Sequence, residues 1–198
     1  AIQFGYDGYE KAWLFEATAT EMEEQIYDEI NDCHTWLPGW FAEPQKSLDH
    51  PSDHWYGSFI FPQYIFEHFG GYITLRRIWQ ESVSDDSYYG DFSHQAISLA
   101  LSNEGSSFSD ALNKMVIANR VMSSSTNAGV FSYEEADIYP VNGPATFQTI
   151  TYSGGTDQSV TSTNLTRFAS QYTRVNTSDP VLVNLTNNSG PAEDLNMH

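Results

Sequence analysis

The sequence predicts an α+β chain: a mainly helical part over residues 1–125, a linker over 126–134, and a small β-rich, sandwich-like module over 135–198. Three observations carry this. Apolar residues recur at helical spacing from about residue 11 to residue 122, interrupted by Gly and Pro where helices have to stop. Beyond "SSSTNAG" the composition turns to Thr, Val, Tyr and Gly, with period-two alternation. A length of 198 residues, 40% of them hydrophobic and 15% aromatic, provides enough apolar area to offset chain ordering, which excludes a disordered polypeptide.

The elements follow in order. From Lys11 to Ile30 the residues Trp13, Leu14, Ala17, Met22, Ile26 and Ile30 mark one helical stripe that no Gly or Pro breaks, until Asn31 and Asp32 end it. "TWLPGWFAEPQKSLDHPSD" holds three prolines and one glycine and reads as an irregular loop, pinned to the core by Trp36, Trp40 and Phe41. "HWYGSFIFPQYIFEHFGG" reads as a buried helix stopped by Gly70 and Gly71, with Pro62 bending it or resetting its start. Helices are predicted again over Ile73 to Glu81, His94 to Leu101 and Ser109 to Met122, the last capped by Ser107 or Ser109. Strands are predicted in "ATFQTITYSGG", "RFASQYTRV" and "PVLVNLT", too few to close a sandwich on their own.

Charge and cysteine count narrow the function classes. Asp and Glu total 26 against 8 Lys plus Arg, and a net charge of −18 opposes binding to a phosphate backbone, so no nucleic-acid partner is expected. The same balance suits a secreted chain in salty water, with divalent cations as counterions. No run approaches the ~18 apolar residues of a membrane span. The single Cys33 excludes an internal disulfide and an all-cysteine metal site, and Cys33 beside His34 does not suggest thiol catalysis, because chain neighbours seldom face each other. Four Asn-x-Ser/Thr sequons, at Asn164, Asn176, Asn184 and Asn187, matter only on a secreted surface in a glycosylating host. A first residue that is Ala rather than Met raises the expectation of a longer parent.

The chemistry centres on "AWLFEATATEMEE", which sets Glu16 among bulky apolar residues and alanines. A partly desolvated helix carboxylate facing a cavity can ligate Zn2+ beside two imidazoles and leave a fourth position for water. Ala17 and Ala19 leave room for a second helix to approach. The plainer reading is a glutamate at the stripe's edge, snorkelling to solvent or paired with Lys11. "HPSDH" spaces His50 and His54 by four, although Pro51 disfavours helix at His50. His34, His68 and His94 show no ligand spacing with anything.

"WLFEATA" resembles the Trp-x-x-Glu-Gly/Ala-x-Ala segment of the gluzincin zinc metallopeptidases. The longer "AIQFGYDGYEKAWLFEATATEMEE" is similar to secreted bacterial metalloproteases in which a His-Glu-x-x-His helix runs directly into such a segment. The likeness covers roughly residues 1 to 125, with "YGSFIFPQYIFEHFG" and "NEGSSFSDALNKMVIAN" in support. It implies Glu16 as third zinc ligand, and Tyr56 of "WYG", with His54 in reserve, as donor to the tetrahedral oxyanion. It also implies two zinc histidines and a general base from an upstream His-Glu-x-x-His segment, which these residues lack. The implied parent is a secreted or cell-surface zinc peptidase acting on a peptide or protein substrate, and the isolated chain is expected to be inactive.

Two rivals stand beside it. A non-catalytic extracellular structural, adhesive or filament subunit would suit the acidic, Ser/Thr/Asn-rich tail. A glycoside hydrolase would pair Glu16 with Glu21, Glu23 or Glu24, but carboxylates on a single helix rarely flank a sugar bond.

Overall fold

The computed structural model describes residues 2–83, 93–155, 157–161, 165–178 and 180–183. The first long helix, α1 (Ala12–Ile26), ends where Tyr27 leaves helical geometry, short of the expected Ile30. Its buried residues are Trp13, Leu14, Ala17, Thr18, Thr20, Glu21 and Glu24. Met22, Ile26 and Ile30, expected on the same stripe, are exposed. Helix phase explains the difference: at about 100° per residue, Met22 lies about 180° around from Trp13 and Glu24 only about 20°. The carboxylates in the middle of the buried face are therefore Glu21 and Glu24, while Glu16 sits at its edge.

After α1 the chain reverses through Asn31, which is left-handed at φ 52°, into a 3-10 turn, Asp32–Trp36. The proline-rich stretch is more regular than expected, because α2 (Leu37–Ala42) starts with Pro38 in its first turn, where the missing N–H has no helical partner to lose. Leu37, Trp40 and Phe41 are buried, so this segment is pinned as anticipated. The next expected helix is split into α3 (His54–Gly57) and α4 (Ile60–His68), and Pro62 falls in the first turn of α4, resetting its start. A Cβ on Gly57 would lie 2.9 Å from Trp40 Cβ, so α2 and α3 approach closely through this glycine. Gly70, at φ 87°, turns the chain into α5 (Gly71–Glu81). Helix α6 (Ser93–Ser102) follows, then α7 (Phe108–Val121), whose first turn is capped by Ser107 accepting from the Asp110 N–H.

One core joins these helices. Trp13, Leu14 and Ala17 of α1 meet Phe61, Tyr64 and Ile65 of α4, with Leu101 of α6 and Phe108 and Met115 of α7 in the same cluster. Tyr133 and Tyr139, which follow the 3-10 stretch Thr126–Phe131, enter it too. The Tyr133 hydroxyl donates to Asn119 Oδ1 at 2.6 Å, and the Tyr64 hydroxyl to the Val130 carbonyl at 2.7 Å. These bonds tie the segment after α7 to α7 and α4.

Strands β1 (Thr146–Thr151) and β2 (Tyr172–Asn176) form a two-stranded parallel sheet, exposed along almost its whole length. It is tied to the helices by Ala145 N–H to the Phe41 carbonyl, Ser170 N–H to the Pro44 carbonyl, and the Tyr172 hydroxyl to the Val116 carbonyl. The fold is thus mainly helical α+β, but the described residues make a parallel pair rather than a sandwich. "RFASQYTRV" becomes strand only from Tyr172, because Phe168 adopts a left-handed φ of 55° and breaks the extended run. Residues 180–183 of "PVLVNLT" carry no strand, and its remainder lies outside the described residues, as do Asn164, Asn184, Asn187 and most of "SVSDDSYYGD". Asn176 ends β2, exposed. Among the described residues no helix is long and apolar enough to cross a membrane.

Candidate metal centre

Glu16 is half-buried and makes no hydrogen bond or ion pair with a described residue. The segment before α1 folds along the same helical turn: the Gln3 side-chain amide donates to the Phe15 carbonyl at 3.0 Å and to Thr18 Oγ1 at 2.9 Å, and the Phe4 ring stacks on Phe15 at 4.8 Å. Helix α3 packs against α1. Tyr56, half-buried on α3, stacks on Trp36 with ring centroids 4.8 Å apart. His54 is buried against Trp40, at 4.3 Å between ring centroids, and its Nε2 has no hydrogen-bond partner. Burial, helped by the neighbouring His50, pulls this imidazole down to about 4, so it is neutral at pH 7. The His50 and His54 rings meet edge to face at 5.7 Å, an arrangement of packing rather than of shared ligation.

A second constellation forms at the other end of α1, where spacing suggests nothing. Cys33 and His34, on the 3-10 turn, are carried back onto Glu24 by the Asn31 reversal, and Glu135 arrives from the segment beyond the linker. Cys33 Sγ donates to Glu24 Oε2 at 2.7 Å. His34 Nε2 lies 3.3 Å from Glu135 Oε2 and 3.8 Å from Glu24 Oε1, yet makes no hydrogen bond. Its ring plane is fixed edge-on against Tyr139, centroids 4.8 Å apart. With its nitrogen turned inward, as the surrounding acceptors require, the Asn31 amide donates to the Asp28 carbonyl at 2.9 Å and reaches Glu24 Oε1 and Glu135 Oε2 at 3.3 Å each. Glu24, Cys33 and His34 hold ligand atoms within 4.8 Å of one another, as do Glu24, Asp28 and Glu135.

One turn back along α1, Glu21 is 0% exposed and neither of its oxygens has a hydrogen-bond partner. Across from it on α4, Glu67 accepts from the Gln63 amide at 2.7 Å and from the Glu134 N–H at 3.0 Å. So many carboxyls with so little water have a clear electrostatic result. Burial, reinforced by Glu67 and Glu24, raises Glu21 well above the ordinary carboxyl range, and burial lifts Glu67 to about 7. Burial and then the adjoining Glu24 carboxyl raise Glu135. Burial likewise pushes the Cys33 thiol up and the His34 imidazole down, with Glu24 opposing the latter. Among the described residues, the ion pairs that reach this cluster are those of His34 and His68.

The sequence reading missed His34, because an imidazole eight or more residues from its partners has no periodic signature. One signal was available: Glu21 and Glu24 continue the Trp13, Ala17 and Thr20 face of α1, and acidic residues in phase with a buried face call for a partner. No protein-family model, curated protein or solved structure matches the chain, so its functional reading rests on the chemistry of these two ends of α1.

Proposed function

We propose that the chain is the glutamate-bearing lobe of an extracellular or cell-surface zinc metallopeptidase, with Glu16 as one metal ligand and Tyr56 as donor to the oxyanion of the breaking peptide bond. One observation carries this reading: Glu16 is a half-buried carboxylate whose side chain has no hydrogen-bond or ion-pair partner among the described residues, on the helix against which the Tyr56 helix packs. A partly desolvated carboxylate suits zinc, and in the resembling peptidases the remaining donors and the general base lie on a His-Glu-x-x-His segment of the parent. Bound zinc would polarise the scissile carbonyl and acidify a water molecule.

The chain's own residues do the rest. The stacked Trp36 ring fixes the Tyr56 phenol plane, so its O–H is held ready to donate to developing negative charge. His54, neutral and buried beside it in sequence, is the reserve donor. A groove of about 170 Å³ beside the first turn of α1, lined by Lys11, Trp13, Trp55 and the Asp49–Arg167 ion pair, offers an apolar wall and a polar edge for an extended peptide.

The test is to read the coding region before Ala1 and to assay the whole translated product. Chelator-sensitive peptidase activity is expected, with Glu16→Gln reducing it at least about a thousandfold and Tyr56→Phe lowering kcat roughly a hundredfold at nearly constant KM. Chelator-resistant activity, an active Glu16→Gln variant, or peptidase activity from residues 1–198 alone would refute the proposal. One feature favours the second reading, a structural or adhesive subunit: the exposed parallel pair leaves strand edges open for assembly. A parent without His-Glu-x-x-His that forms filaments would decide for it.

A further inference from the structure

The C-terminal end of α1 holds the donors of a second metal centre, independent of Glu16. We infer that Glu24, Cys33 and His34, whose ligand atoms lie within 4.8 Å of one another, bind one divalent ion of the zinc class in a closed, structural site that Glu135, 3.3 Å from His34 Nε2, completes by a side-chain adjustment. Sulfur, imidazole and carboxylate together are the donor set of Zn2+ rather than of Ca2+ or Mg2+, which take oxygen ligands. Bonds of ~2.0–2.3 Å at tetrahedral angles separate donor atoms by ~3.3–3.8 Å. The His34 Nε2 distances to Glu135 and Glu24, 3.3 and 3.8 Å, already have that separation. Cys33 Sγ, 2.7 Å from Glu24 Oε2, needs to open by less than ~1 Å once its proton has left for bulk water.

One buried side chain points to the ion beyond the clustering itself. His34 is 6% exposed, and its Nε2, without a hydrogen bond, faces the gap between the two carboxylates. Tyr139 and Asn31 form the outer layer, the first holding the imidazole plane and the second donating toward Glu24 and Glu135. Access is open on one side, where Asp28 is exposed and Glu135 partly so. Four protein donors leave no position for substrate, so the ion would clamp α1, the Cys33–His34 turn and the 133–139 segment together.

The experiment is a Co2+ titration of the chelator-stripped chain, followed by Zn2+. One equivalent of Co2+ is expected to give tetrahedral d–d bands and a thiolate-to-cobalt charge-transfer band, both bleached by Zn2+. The charge-transfer band should vanish in Cys33→Ser, affinity should fall at least tenfold in His34→Gln, and Glu16→Gln should leave the titration unchanged. Zn2+ at a hundredfold excess over its dissociation constant should raise the melting temperature by roughly 5–10 °C in the unsubstituted chain and not in Cys33→Ser. The inference is overturned if the unsubstituted chain, with native circular dichroism, shows no thiolate band, a result that needs no variant to fold. It is equally overturned if His34→Gln binds Co2+ as tightly as the unsubstituted chain. Because Glu16 is outside this set, failure here leaves the peptidase reading standing, and the reverse holds as well.

Discussion

Single residues on this chain titrate far from their ordinary values, and in opposite directions. Burial keeps the Glu67 proton on up to about pH 7 against an ordinary 4.5, so between those values the folded chain binds more protons than the unfolded one and stability falls as pH rises. His54 titrates near 4 instead of 6.5, so in that window the unfolded chain binds more protons and stability falls as pH drops. Urea midpoints of the metal-free chain should therefore show that Glu67→Gln helps more at pH 8 than at pH 5, and that His54→Gln flattens the loss below pH 6, each by on the order of 2 kcal/mol. Glu21→Gln should help the metal-free chain more at pH 8 than at pH 5, since burial and the nearby Glu67 and Glu24 oppose ionisation of this carboxyl. A Glu21→Gln effect that does not change between pH 5 and pH 8 would contradict this. Sequence reading marked Glu16 as the anomalous carboxylate, and the structure keeps it half-buried at the edge of the helix face. The deeper anomalies, Glu21 and Glu24, were hidden because Met22 and Ile26 looked like the continuing stripe.

At the scale of elements, helix phase is the point that can be checked. Leu14→Ala should lower stability by ~2–5 kcal/mol, whereas Met22→Lys and Ile26→Lys, on the solvent side, should stay within ~0.5 kcal/mol. Large losses from the two lysine variants would restore the stripe drawn from sequence. Helices α4 to α7 were legible because their apolar periodicity, the Gly70–Gly71 stop and the Ser107 cap are local signals. The site around His34 was not, since it depends on one left-handed residue, Asn31, and on a segment about a hundred residues later folding back across α1. Strand alternation predicted β1 and β2 but not their parallel pairing, which no local pattern encodes.

Over the whole molecule, one helix organises both proposed functions. Under the two proposals its N-terminal half would supply Glu16 to one ion, and its C-terminal half would supply Glu24, beside Cys33 and His34, to the other. A net charge of −18 makes cations the natural partners of such a surface and phosphate backbones poor ones. The central claim is that α1 contributes metal ligands at two separate levels, one for chemistry and one for stability. Metal analysis of the whole translated product, coupled to a peptidase assay, tests it most directly. Two zinc ions per chain are expected, with Glu16→Gln losing one ion and the activity together, and Cys33→Ser losing the other ion while activity survives below the lowered melting temperature. A parent whose zinc content is the same in both variants would contradict the account.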